Sequence, residues 1–234
     1  MSNTNQDALE NFTEDTSRHE MAILRDDGLY RHLRFQRPGS CVYQFDIITW
    51  PGYLAYVGDM GDYVFRRIDD MFEFFGSDGI NPDYWSEKVQ AACTDGVREF
   101  SIEVYKERVE KWRDEILEDI AEDIDNETDN PDFAEVVNDD LLDWVDGITE
   151  EEAHRRLDNF ECNGIKFFDS WEWDFQKFSY RYIWSLYAIT WAIRKYQEQK
   201  MTSPLISTSN YDSGDVTTTP HLARTIFALE EASL

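Results

Sequence analysis

The spacing of hydrophobic positions changes twice along the chain. Residues 1–18 are polar with no sustained apolar period and read as a flexible tail. From residue 29 to 65 short apolar and aromatic runs alternate with turn residues. Leu29 to Phe35 is followed by Arg37-Pro38-Gly39, Cys41 to Trp50 by Pro51-Gly52, and Tyr53 to Val57 by Gly58-Asp59-Met60-Gly61 before Tyr63 to Phe65. Short strands with tight turns predict an antiparallel β-meander. Connections this short exclude parallel crossovers.

From residue 67 the period becomes helical. Ile68, Met71, Phe72 and Phe75 share a face that ends at Gly76. Asn81-Pro82 opens a second helix, with Tyr84, Trp85, Val89 and Ala92 as its buried side. Ser101 caps a long helix to about Asp125, and another spans roughly Pro131 to Val145. Thr149-Glu150-Glu151-Glu152 has the form of a capping box and starts a helix to about Phe160. The strongest pattern is at 167–199. Trp171, Phe175, Phe178, Tyr182, Leu186, Ile189, Ile193 and Tyr196 recur at steps of three and four, with Trp173, Tyr180, Trp184, Tyr187 and Trp191 off that stripe. A helix apolar on two faces is normally central. Residues 201–218 read as a Ser/Thr-rich linker and 219–234 as a short C-terminal helix. The expectation is an α+β protein: a small antiparallel β-meander packed against a mainly helical remainder, in one domain over 19–200.

Charge alters this picture most. Forty-nine Asp and Glu face twenty-two Lys and Arg, a formal net charge of −27. Such a surface repels nucleic acid and anionic membranes and attracts basic proteins. Direct nucleic-acid binding is disfavoured, because it requires cations that displace phosphate counterions. The longest apolar stretch, around Tyr180 to Ile193, is shorter than the roughly 20 residues of a membrane span. The polar, acidic N-terminus resembles neither a signal nor a transit peptide, and Cys41, Cys93 and Cys162 have no disulfide or zinc spacing. Both features point to a reducing cytoplasm.

Between Asp114 and Glu152 there are eighteen carboxylates and no Lys or Arg. The acids come in pairs, Asp114/Glu115, Glu118/Asp119 and Glu122/Asp123, with Asp139, Asp140 and Asp143 following. Four residues of helix rise about 6 Å. Successive pairs are therefore spaced much like phosphates along a strand, at about 3.4 Å of axis and a wider backbone path. Like charges at i, i+4 destabilise a helix by about 0.2–0.5 kcal/mol per pair, so their accumulation suggests use. The competing reading is a solvated amphipathic face.

Catalytic templates are absent. His19, His32, His154 and His221 are scattered, and His154, beside Arg155 and Arg156, reads as an exposed helix residue. No metal-ligand, nucleophile-elbow or phosphate-loop spacing occurs, so no cofactor, metal or catalytic residue is assigned. Asp59, Asp62, Arg66 and Asp70 form a possible polar pocket at a sheet edge, with turn chemistry and surface ion pairs as the plainer account.

Residues 45–88 carry Thr49-Trp50-Pro51-Gly52, Gly58-Asp59-Met60-Gly61, Phe65, Asp70-Met71-Phe72-Glu73-Phe74-Phe75, Ile80-Asn81-Pro82, Tyr84-Trp85 and Glu87-Lys88, in that order. This series resembles a family of uncharacterised phage and prophage proteins. The likeness covers mainly residues 45–110. It implies a phage-encoded protein in a bacterial cytoplasm and transfers no catalytic residue. The leading expectation is an acidic binding protein, a nucleic-acid mimic that engages a basic nucleic-acid-binding host protein. The contacts would be Asp114, Glu115, Glu118, Asp119, Glu122, Asp123, Asp139, Asp140 and Asp143. A metal-assisted hydrolase using Asp59 and Asp62, and a virion assembly factor, are the alternatives.

Overall fold

A computed structural model describes residues 3–76, 79–122 and 133–202. The fold is α+β. A six-stranded antiparallel sheet runs in chain order through β1 (Glu20–Asp27), β2 (Tyr30–Gln36), β3 (Phe45–Trp50), β4 (Tyr53–Gly58), β5 (Gly61–Arg66) and β6 (Val89–Ala92). Register follows from side-chain alternation. Leu33 pairs with Ile47, Ile47 with Tyr56 and Tyr56 with Tyr63, so four fully buried side chains stand in one row across the sheet. At the tight end of β4, a Cβ on Gly58 would meet the Gln44 carbonyl oxygen at 2.5 Å, so only glycine fits there.

Helix α7 (Tyr180–Thr202) lies on this buried face. The ring of Trp191 is 5.2 Å from Phe35, and that of Trp184 is 6.0 Å from Phe45. Its opposite side is covered by α1 (Asn3–Asp15), through buried Ala8 and Phe12. The tail expected at 1–18 is thus a docked helix over most of its length. Among its described residues only Ala8, Phe12 and Thr16 are buried, and with one of the three polar the pattern does not stand out among polar neighbours.

Short helices α2 (Met71–Phe75) and α3 (Pro82–Ser86) close one end of the sheet core. Asn81 caps α3 as its sequence implied, whereas Val89–Ala92, expected on that helix, form strand β6. Arg31 ties α2 to the sheet by a bidentate pair with Asp70, at 2.8 and 2.9 Å. The two side chains are only 12% and 22% exposed. Asp70 also caps α2 at the Phe72 N–H, and Arg31 lies over the Phe72 ring. The guanidinium first, then the cap, holds the Asp70 carboxyl below its ordinary range despite burial. Asp70→Asn keeps a competent cap but strands the guanidinium. We expect a loss of about 3 kcal/mol, read by urea unfolding, because breaking a buried pair leaves a charge uncompensated.

Strands β7 (Arg98–Phe100) and β10 (Gln176–Phe178) pair antiparallel and bring together two points far apart in the chain. The described segments between them form a second hydrophobic core. It contains α4 (Ile102–Glu122), α5 (Phe133–Val137), a π turn (Asn138–Leu142), α6 (Glu150–Asn159), the hairpin β8–β9 (Glu161–Cys162, Ile165–Lys166) and a 3-10 turn (Ser170–Glu172). The residues expected as one domain over 19–200 thus hold two hydrophobic core clusters. The hairpin turns on Asn163-Gly164, both at positive φ, the chemistry of a type I′ turn. The helix expected to start at 167 starts at Tyr180, where the Ser179 hydroxyl accepts the Tyr182 N–H at 3.2 Å. Upstream, Asp169 in the left-handed region breaks the period, and Trp173 and Phe175 pack into the second core.

The linker expected at 201–218 and the helix at 219–234 lie, apart from Met201 and Thr202 at the end of α7, outside the described residues. Among the described residues no helix is long and apolar enough to cross a membrane.

Candidate interaction surface

Helix α4 carries the acidic face. Ser101 starts it: its hydroxyl accepts the Val104 N–H at 3.3 Å and donates to Glu103 at 2.6 Å. With the Glu103 backbone N–H and Lys177, that hydroxyl holds the Glu103 carboxyl down to about 2. Tyr105 and Val109, with Trp112, Ile116 and Ile120, turn inward, and the Tyr105 hydroxyl donates to the Leu141 carbonyl at 3.0 Å. At about 100° per residue the opposite side is then fixed. Glu107, Glu110, Asp114 and Glu118 follow one another along it at steps of three and four, all exposed. Glu115 and Asp119 are exposed on a second row, rotated from the first.

Across from this ridge stand α5 and the π turn. A groove of about 650 Å³ separates them, with Lys106, Glu110 and Arg113 on one wall and Glu135, Asp139 and Asp143 on the other. Arg113 bridges the floor: it donates to Asn138 at 2.8 Å and to Asp114 at 2.9 Å. Four carboxylates and two cations line the groove, and of the exposed row only Glu110 is among them.

The expected binding residues therefore divide. Asp114 and Glu118 stand on the exposed ridge of α4, and Asp139 and Asp143 line the groove. Asp114 is neutralised in part by Arg113, and Glu115 by Lys111 at 3.6 Å. Asp140 is exposed but does not line the groove; its charge instead acts on Cys162, whose thiol is pushed up by burial and by Asp140. Glu122 ends α4, and its side chain and Asp123 lie outside the described residues. Glu107, Glu110 and Glu135 were missing from the expectation. The first two fall before Asp114, in sequence that also contains Lys and Arg, yet they continue its helical row.

Next to Asp143, Trp144 is 89% exposed and has φ of 57°. The Arg156 guanidinium donates to the carbonyls of Asp143 and Trp144, both at 3.2 Å, and fixes this turn. A bulky residue in the left-handed region costs about 1–2 kcal/mol, so the chain holds a large aromatic outward against its own backbone preference.

The polar pocket expected from Asp59, Asp62, Arg66 and Asp70 does not assemble. Asp59 accepts the Tyr43 N–H at 2.7 Å, and Asp62 accepts the Gly58 N–H at 3.3 Å, both around the β4–β5 turn. Arg66, at the far end of β5, lies over Tyr53, and Asp70 is committed to Arg31. Four strand residues at about 3.3 Å each separate the two ends. Among the described residues no group of three or more His, Cys, Asp or Glu is placed to hold a metal. The three cysteines are free thiols. His154 is half-buried rather than exposed: its Nδ1 lies 3.0 Å from the Ser170 carbonyl, and its ring packs on Phe175.

No protein-family model, curated protein or solved structure matches this chain.

Proposed function

We propose that this chain is a phage-encoded binding protein whose anionic face takes the place of nucleic acid on a basic, nucleic-acid-binding host protein in the bacterial cytoplasm. The supporting observation is the exposed row Glu107, Glu110, Asp114 and Glu118, of which Glu110 lines one groove with Glu135, Asp139 and Asp143. Steps of three and four residues rise about 4.5–6 Å, a spacing that cationic residues shaped for phosphates can follow. The phage origin rests on the resemblance of residues 45–88. Carboxylates at the rim steer encounter and make it salt-sensitive, while Trp144 supplies the kind of aromatic anchor that dominates binding energy.

The test is capture from bacterial lysate by the immobilised chain. A basic protein should be retained at low salt and released both at high salt and by added duplex DNA. Retention that duplex DNA does not displace contradicts the reading. Trp144→Gly separates presentation from folding. Glycine relieves the left-handed strain, so stability should rise by about 1 kcal/mol or stay level. Capture should nonetheless weaken by roughly tenfold or more, as for loss of an interface anchor.

A further inference from the structure

A second concavity lies between α4 and the 3-10 turn, with Glu115 in its lining. It holds about 350 Å³ and is lined by Arg108, Lys111, Trp112, Glu115, Glu172 and Trp173. That volume falls within the roughly 300–1,000 Å³ of small-molecule sites. Its aromatic walls are braced from behind. Trp112 packs on Phe167 with ring centres 3.9 Å apart, and Trp173 packs edge-on to Phe167 at 5.2 Å.

The cations here are unusual in so acidic a chain. Arg108 and Lys111 sit one helical turn apart on the same side of α4. Among the described residues Arg108 makes no ion pair or hydrogen bond; its guanidinium lies 5.9 Å from the centre of the Trp173 ring. Lys111 has one long, exposed pair with Glu115. Among the described residues an arginine thus stands without an ion pair beside two indole surfaces. A cation pair next to stackable aromatics is the combination that holds a base and its phosphate.

We propose that this pocket binds a nucleoside monophosphate. The base lies against Trp112 and Trp173, and the phosphate sits on Arg108 and Lys111. Glu115 and Glu172 accept hydrogen bonds from amino or imino N–H groups of the base. The two carboxylates cancel the two cations, so the pocket has no excess charge to hold a polyanion. The net charge of −27 acts in the same direction. At physiological salt, screening over about 8 Å lets the local pair decide for a small anion but not for a strand. This site is separate from the mimicry reading and stands or falls without it.

Calorimetric titration with adenosine 5′-monophosphate, followed in parallel by tryptophan fluorescence, tests the proposal. Saturable binding is expected, about tenfold tighter than for adenosine or inorganic phosphate alone, because ring and anion are both needed. A short single-stranded oligonucleotide should bind more weakly than the mononucleotide. The double variant R108Q/K111Q changes exposed side chains, so circular dichroism should be unaltered while affinity falls by about tenfold or more. The single variants should fall between. No binding at millimolar nucleotide, equal affinity for inorganic phosphate, stronger binding of the strand, or undiminished affinity in the double variant would each overturn the assignment.

Discussion

Trp184→Ala is expected to remove about 3–5 kcal/mol of folding stability, the range for deleting a large, fully buried aromatic. That is a large share of the roughly 5–15 kcal/mol that holds a domain folded. Trp184 is completely buried where three layers meet. Its ring meets Phe12 of α1 at 5.0 Å and Phe45 of the sheet at 6.0 Å. Its indole N–H donates to Asp15 at 3.1 Å and latches the end of α1 onto α7. Alanine leaves a cavity bounded by both layers and removes the latch. Trp171→Ala is the matched control: Trp171 is 71% exposed, so its loss should stay within about 0.5 kcal/mol. Chemical unfolding of both variants reads the difference directly.

That pair inverts the order the sequence suggests. Helical periodicity places Trp171 on the buried stripe and Trp184 off it. The stripe is continuous only if the helix begins at 167, and it begins at Tyr180. From there both faces of α7 are covered, one by the sheet and one by α1, so position relative to a single stripe stops predicting burial. The turns were more legible. Pro51-Gly52 and Gly58-Asp59-Met60-Gly61 mark the hairpins that join β3, β4 and β5, because their backbone demands are local. Caps at Asn81, Ser101 and Thr149 located three helix starts for the same reason. Asn163-Gly164 is an equally local signal for the β8–β9 hairpin. The division into two cores was not accessible in this way. It depends on β7 meeting β10 across the whole intervening helical segment, a pairing no short window contains.

The acidic face shows both behaviours. Asp114 and Glu118 could be placed on one row from spacing alone, and Glu107 and Glu110 extend that row by the same rule. The partition of Asp139 and Asp143 from Asp140 could not, because Asn138–Leu142 adopts a π turn that changes the angular step between side chains. Arg113 likewise precedes the carboxylate-only segment, yet it reaches across to Asn138 and tempers the groove.

Neutralising that face is expected to stabilise the protein while strongly weakening its binding. The variant changes Glu107, Glu110 and Glu118 to Gln, and Asp114, Asp139 and Asp143 to Asn. It removes like-charge repulsion at helical neighbours, worth about 0.2–0.5 kcal/mol per pair, so stability should rise by roughly 1 kcal/mol. Loss of the Arg113–Asp114 contact offsets little of this, since Asp114 is largely exposed and exposed pairs contribute about 0–1 kcal/mol. Capture of the basic host protein should weaken by roughly tenfold or more at low salt. A rise in thermal midpoint together with weakened capture separates a functional surface from a structural one. A merely solvated face would give the stability gain with capture unchanged.

The most direct measurement is the salt dependence of affinity for the captured protein, once purified, with the original and neutralised chains side by side. If the row and groove replace phosphates, the logarithm of the association constant should fall steeply and linearly with the logarithm of salt concentration for the original chain. The slope should flatten sharply for the variant. Equal slopes for the two chains would contradict the account.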